Sequence, residues 1–246
     1  MQISTAVILA AGRGTRLAGA GLAVPKGLID VGGETLVSRS LRLLAARGIT
    51  NVILITGHQS ELYDAFASAR SGVRCIYNGR FDVMGSLESL RCALEAVTLP
   101  FLLLDSDILY ESRGLDVLLE QPAANAALVS GLTGSGDEYY AWADNEQRIR
   151  YFSKSLAEQA GPPAGEHVGI LKIGETLRSA LLARAPARLL DKPMDFYESL
   201  LVELLPEHAV KNAYVPNLLW SEIDNAAMLK TARCVTWPGL VAMGDL

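Results

Sequence analysis

The feature that most constrains this chain is its opening run, "AVILAAGRGTRLAGAGLAVPKGLIDVGG", residues 6 to 33. "TAVILAA" (5–11) has the Val, Ile and Leu content of a strand buried on both faces and lacks polar alternation. It breaks directly into Gly12 and Gly14, so an interior strand must deliver a flexible turn to the carboxyl edge of a sheet. Small Ala10 and Ala11 with the glycines let the backbone curve round a ligand and point N–H groups inward, as an anion-binding nest does. Arg13 and Arg16 add permanent charge with forked donors that suit phosphate oxygens. Taken alone, the loop also reads as a glycine turn with two solvated arginines. Lys26 shifts that balance. Pro25 stiffens the chain before it, and the loop from 12 to 25 is long enough to fold back over a triphosphate. A lysine so held neutralises charge that develops in phosphoryl transfer.

Other phosphate loops fit badly. There is no G-x-x-x-x-G-K-[ST] run. The dinucleotide fingerprint fails at Leu17, and the second strand ends in Thr56-Gly57 without an acidic residue for a ribose.

Beyond the first strand, apolar runs and helical patterns alternate. "NVILIT" (51–56), "VRCIYN" (73–78) and "FLLLDSDI" (101–108) read as buried strands. Between them, "TLVSRSLRLLAARG" (35–48), "SELYDAFASAR" (60–70) and "SLESLRCALEAV" (86–97) read as helices. In the first, Val37, Leu41 and Leu44 form one stripe, Arg39 and Arg42 lie off it, and Gly48 closes the end. This alternation predicts βαβ units and a mostly parallel sheet.

The second half predicts a hairpin from "EYYAWAD" and "RIRYFSK", laid over the sheet's carboxyl edge. A strand at "EHVGILKIG", two helices, a strand at "NLLWSEID" (217–224) and a last helix capped by Asn225 follow. "AGPPAGE" is a loop, not a linker, so residues 1–246 read as one α/β domain with a lid-like β insertion around 132–165. Ligands bind beyond the carboxyl ends of such strands. Three suggestive stretches end there: Ala10 to Arg16, Asp105 to Asp107, and Glu222 to Asp224.

A net charge of -5 argues against nucleic acid as a partner. Cys75, Cys92 and Cys234 form no C-x-x-C pair, so zinc and disulfides are not expected. No signal segment or membrane-length apolar run is visible, and the expected location is cytoplasmic. His58, His167 and His208 have no triad-like setting and read as structural. The apolar tail "CVTWPGLVAMGDL" is a candidate to dock on a second subunit, which leaves a homo-oligomer open.

"LAAGRGTRL" followed by "PKGLIDVGGETLVSRSL" resembles the signature of nucleotidyltransferases that act on sugar phosphates and related molecules. "YNGRFDVMGSLESLRCALEAV", "LLLDSDILYE", "HVGILKIG" and "WSEIDNAAMLKTAR" are similar to the choline-phosphate and phosphonate cytidylyltransferase branch. The resemblance implies a Rossmann-like, GT-A-like nucleotidyltransferase fold. It also implies transfer of CMP from CTP to a small phosphate or phosphonate, with release of pyrophosphate.

On that resemblance Asp107 and Asp224 bind Mg²⁺, which takes one or two protein carboxylates beside phosphate oxygens. Asp105 and Asp107, two apart on an extended run, are expected to face one side. Arg16 and Lys26 are expected to stabilise the departing pyrophosphate, and Lys154 the acceptor phosphoryl group or the α-phosphate. Leu9, Ala10, Ala11, Gly12, Arg13, Gly14, Thr15 and Asp105 are expected to line the nucleotide site. There Gly85 and Ser86 open a helix whose N-terminus reads the base. The residues alone do not separate CTP from UTP.

The acceptor stays open. Met84-Gly85 stands where choline-phosphate members carry asparagine, which leans toward a phosphonate. Tyr139, Tyr140 and Trp142 with Glu222 are candidates to hold choline; Arg80, Arg91, Arg148, Arg150 and Lys172 are candidates to hold a small anionic phosphonate. A sugar-1-phosphate nucleotidyltransferase and a non-catalytic nucleotide-binding regulator are the competing readings.

Overall fold

The computed structural model describes residues 3–18 and 24–245; positions 19–23 of the long loop lie outside them. The first half follows the expected alternation. β1 (Thr5–Ala10) is buried throughout and is followed by the loop 11–14 and the short α1 (Thr15–Ala18). A single 3-10 turn, Lys26–Leu28, precedes a small ribbon of β2 (Asp30–Val31) and β3 (Glu34–Thr35), and Thr35 caps α2 (Leu36–Ala45). Then come β4 (Asn51–Thr56), α3 (Ser60–Ser68), β5 (Val73–Tyr77), α4 (Ser86–Ala96) and β6 (Phe101–Asp105). β6, β1, β4 and β5 lie side by side in parallel. Alternate residues of β1 feed opposite faces: Val7 and Leu9 join one core, Ala6, Ile8 and Ala10 the other.

The second half supplies β7 (Ile108–Tyr110), α5 (Arg113–Glu120), β8 (Ala126–Ser130), β9 (Tyr140–Ala143), β10 (Ile149–Ser153) and the long β11 (Gly165–Ile173). α6 (Glu175–Asp191), α7 (Tyr197–Leu204), β12 (Lys211–Val215), β13 (Trp220–Glu222), α8 (Ala226–Thr231) and α9 (Trp237–Ala242) complete the described chain. β11 is the hub. It runs antiparallel to β6, β8 and β9, and so turns the parallel half into a nine-stranded mixed sheet with helices on both faces. The expected hairpin, β9 with β10, is joined edgewise to the sheet through β11.

Several local expectations are corrected. β5 is an edge strand with half-exposed side chains, not one buried on both faces. The run 101–108 is not a single strand, because it turns at Ser106 and Asp107 between β6 and β7. Arg39 is buried on α2, not set off the apolar stripe, because the chain's own tail covers it: its guanidinium donates to the Asp245 carbonyl (2.9 Å) and carboxylate (3.0 Å). The tail packs on the chain's own body. Leu240 and Ala232 share a core with Leu17, Ile29 and Leu109, and the Thr236 and Ser221 hydroxyls lie 2.5 Å apart. β8 and β12 form a parallel pair that the sequence patterns do not predict. Among the described residues no helix is long and apolar enough to cross a membrane.

Candidate active site

A cavity of about 460 Å³ opens beyond the carboxyl ends of β1 and β6. β1 delivers Leu9 and Ala10 to its wall, the loop adds Ala11, Gly12, Arg13 and Gly14, and α1 adds Thr15 and Arg16. Gly14 sits at φ 58°, in the left-handed region, and a side chain there would press on Lys26 at 3.2 Å. Among the described residues, nothing lies within 4 Å of where a Cβ on Gly12 would stand.

Lys26 is aimed by its neighbour. A Cβ on Gly27 would lie 2.7 Å from both Tyr63 Oη and Val37 Cγ2, so only glycine lets the 3-10 turn press this close to α2 and α3. From there Lys26 Nζ donates to Asp107 Oδ2 (2.8 Å) and to Asp224 Oδ1. Arg16 Nη2 donates to Asp224 Oδ2 (2.8 Å), and Arg16 Nη1 to Asp137 Oδ2 (3.2 Å). Lys154, just past β10, donates to Asp137 Oδ1 (2.6 Å). β7 and β13 make this meeting possible by pairing antiparallel, and the Ile223 N–H donates to the Asp107 carbonyl (2.8 Å). Asp224 therefore stands just beyond its strand, buried, and is free of capping duty: Asn225 accepts from the Ala227 and Met228 N–H groups of α8 (3.0 Å each).

Burial works against the Lys26 ammonium, but Asp107 and Asp224 outweigh it and hold its pKa above the ordinary value. Arg16 is likewise raised, burial opposing and Asp224 prevailing. Asp137 is held down at about 2: burial pushes it up, but Lys154 and Arg16 win. Glu222 goes the other way, up to about 8, through burial and the nearby Asp107 and Asp224 carboxylates. Asp105 is raised by burial and by Glu198, and its Oδ2 accepts from Tyr197 Oη (3.1 Å). Gly169 packs against it at φ 79°, where a Cβ would sit 2.6 Å from that oxygen.

Asp107, Glu222 and Asp224 each offer a carboxylate oxygen, and these lie within 4.8 Å of one another. Hard oxygen donors, at least two of them ionisable side by side, fit a small hard dication such as Mg²⁺. Lys26 sets positive charge against two members of this cluster, Asp107 and Asp224.

Not every expected residue arrives as foreseen. Gly85 and Ser86 line the cavity, but α4's N-terminus is already partly engaged. The Leu87 N–H donates to the Asp195 carbonyl (3.3 Å), Ser86 Oγ accepts from the Tyr197 N–H (3.2 Å), and Gly85 is glycine because a Cβ would meet Asp195 O at 2.1 Å. Tyr139 and Glu222 line the cavity; Trp142 does not. Its indole N–H donates to the Gly161 carbonyl (3.2 Å) and its ring meets Tyr140 and Tyr151 edge-on. Asp105 and Asp107 are separated by the turn and take different partners, Tyr197 and Lys26. Arg80, Arg91, Arg148, Arg150 and Lys172 all lie outside the cavity lining. Arg91 pairs with Glu88, Arg148 and Arg150 with Asp144, and Lys172 with the Gln121 carbonyl.

Asp137, Tyr197 and Glu198 line the cavity and were not foreseen, and His167, read as structural, lines it too. Asp137 follows the glycine-rich "TGSG", and Tyr197 and Glu198 open a helix. Those local contexts do not tell which cavity they will face.

The chain matches the MobA-like NTP transferase domain over residues 6–160. It is 30% identical over 233 residues to the CMP-5'-(3-aminopropyl)phosphonate synthase of Streptomyces rubellomurinus, covering 89% of this chain and 37% of that protein. It is 27% identical over 241 residues to the bifunctional IPC transferase and DIPP synthase of Thermococcus kodakarensis, covering 93% and 49%. The chain thus spans less than half the length of these two curated relatives. In structure it superposes on the CTP:phosphocholine cytidylyltransferase of Streptococcus pneumoniae with a TM-score of 0.77 at 18% identity, over 95% of this chain and 98% of that one.

Proposed function

The chain belongs to the MobA-like NTP transferase family, and from that premise we propose that it transfers CMP from CTP to a small phosphate or phosphonate acceptor, releasing pyrophosphate. The observation that carries this reading is the meeting of Lys26 and Arg16 with Asp107 and Asp224 in one cavity at the carboxyl edge of the sheet. The cytidylyl donor is supported by the named activities of relatives, and the lean toward a phosphonate by Met84-Gly85 in place of asparagine.

In this reading the triphosphate lies along the loop 11–16, against backbone N–H groups and the Arg13 and Arg16 guanidinium groups. The base rests on the backbone of residues 9–12 and the Gly85–Ser86 turn. The acceptor's own oxyanion, ionised near neutral pH, attacks the α-phosphorus in line, and no side chain has to remove a proton. Lys154 holds that oxyanion in register. Lys26, kept protonated by its two aspartates, and Arg16 neutralise the charge gathering on the departing pyrophosphate. Asp107 and Asp224, with Glu222 beside them, would hold Mg²⁺, which when bound would supply charge neutralisation for the phosphates.

A panel of CTP, UTP, dTTP and GTP against aminoethylphosphonate, phosphonoformate, phosphocholine and sugar phosphates, read by pyrophosphate release, tests this. Release with CTP and a phosphonate or phosphocholine is expected. Release with UTP and sugar phosphates alone would overturn the proposal, and tight nucleotide binding without any release would favour a regulator.

A further inference from the structure

Lys26, Asp107 and Asp224 stand outside the nine-stranded sheet. Asp107 lies in the turn between β6 and β7, and Asp224 just past β13, which pairs with β7 in a separate two-stranded ribbon. Lys26 opens a 3-10 turn ahead of another such ribbon, β2 with β3. One small apolar cluster braces these pieces. Arg16, Lys26, Asp107 and Asp224 each have a neighbour in it close by in sequence: Leu17, Ile29, Leu109 and Ile223. The Ile29 N–H donates to the Lys26 carbonyl (3.0 Å), as the Ile223 N–H does to the Asp107 carbonyl. Residues 226–245 close the cluster with Leu229 and Leu240. They press so near that a Cβ on Gly32 would stand 2.0 Å from Trp237 Cε2, and one on Gly239 2.5 Å from Leu219 Cδ2.

An ion pair fastens the end of this tail. The Asp245 carboxylate accepts from Arg39 Nη2 (3.0 Å) and from the Ser112 N–H (2.7 Å). The Arg39 side chain is 3% exposed and that of Asp245 14%, so solvent screens the pair little. Among the described residues Asp245 is the one ion-pair partner of Arg39, whose Nε and Nη1 have no hydrogen-bond partner. Removing the carboxylate leaves an uncompensated buried charge that gains water only if the tail lifts.

We propose that Arg39 and Asp245 are positioning residues: their ion pair clamps residues 226–245 onto the small apolar cluster and so sets the spacing of Lys26, Asp107 and Asp224. Neither lines the cavity, so each acts through the groups it holds in place. The clamp's weight in turnover rests on the transferase reading.

Competitive acetylation of the full chain at mildly alkaline pH, read by mass spectrometry, compares the Lys26 amine with exposed Lys192 and needs neither nucleotide nor metal. Wild-type Lys26, held by two carboxylates, is expected to react far more slowly than Lys192. Asp245→Ala is expected to raise the Lys26-to-Lys192 ratio ~10- to 100-fold, the range for losing a hydrogen bond to a charged group. The same variant is expected to lower kcat for CMP transfer by up to ~100-fold, as a small misplacement does, with KM for CTP little changed. Asp245→Glu, which keeps the carboxylate, is expected to stay near the wild-type ratio. Leu181→Ala, in a different core, is expected to lower the melting temperature without moving it. If circular dichroism shows Asp245→Ala unfolded, Asp245→Asn takes its place, keeping an oxygen for Ser112 but no charge for Arg39. An unmoved ratio in the folded Asp245 variant overturns the proposal, as does an equal rise in Leu181→Ala or in Asp245→Glu, or wild-type Lys26 as reactive as Lys192. A chain whose Lys26 is loosened in this way yet transfers no nucleotide keeps this inference and loses the transferase reading; CMP transfer with Lys26 unmoved does the reverse.

Discussion

Lys26 Nζ donates to Asp224 Oδ1 although the two residues stand 198 positions apart, and the same ammonium holds Asp107 Oδ2 at 2.8 Å. On the proposed reading, removing this amine takes away charge where pyrophosphate would leave. Lys26→Ala should therefore lower turnover by roughly 10²- to 10³-fold, as loss of one charge-stabilising donor does. Steady-state kinetics with circular dichroism checks it; wild-type turnover in a folded variant would refute the role.

The acidic cluster of Asp107, Glu222 and Asp224 makes a second expectation. Chelation should abolish turnover and added Mg²⁺ restore it. Asp107→Ala should require far more Mg²⁺ for half-maximal rate and stay slower by orders of magnitude at saturation. A metal titration of both chains decides, and an unchanged midpoint would remove Asp107 from the ligand set.

Asp137 bridges Arg16 and Lys154 and so competes with any phosphate for those cations. Both cations are substantially exposed, so the pairs are individually weak. Asp137→Ala should tighten pyrophosphate binding by only about 3- to 10-fold, measured by calorimetry. Weaker binding would instead make Asp137 a positioning group.

His167 is buried, and that burial brings its pKa down to about 4 from 6.5. A depressed histidine means that the unfolded chain binds the extra proton between these values. Its contribution to stability is therefore intact above pH 6.5 and declines as pH falls toward 4. Between pH 7 and pH 5 the loss is on the order of 2 kcal/mol. Urea denaturation of the wild type and His167→Gln at both pH values measures it, because the variant lacks this term; parallel losses in the two chains would contradict it.

Gly169 holds φ 79° beneath Asp105, with no room for a Cβ. Gly169→Ala should cost about 2 kcal/mol or more from the left-handed backbone and the clash together. Urea denaturation tests this as well, and a neutral result would show that β11 yields there.

Local chemistry made much of this protein legible in its sequence. The unbroken apolar run of β1 can only be an interior strand, its glycine-arginine exit can only be an exposed turn, and the recurring strand and helix patterns dictate a wound α/β sheet. Asn225 was readable as a cap, since a side-chain oxygen before a helix has one short-range use. Tertiary structure alone decided what depends on distant segments. β8 and β12 are short runs whose pairing carries no local signature, and β5 reads like its neighbours until the sheet ends beside it. Trp142 turned away from the cavity because Gly161 offered a carbonyl, and Arg39 became buried because Asp245 came to cover it. The part of the cavity lining that includes Asp137, His167 and Glu198 comes from a loop, β11 and α7, whose residues look ordinary in isolation. Periodicity and side-chain type record what a residue needs, whereas which distant neighbour meets that need is settled only when the chain closes.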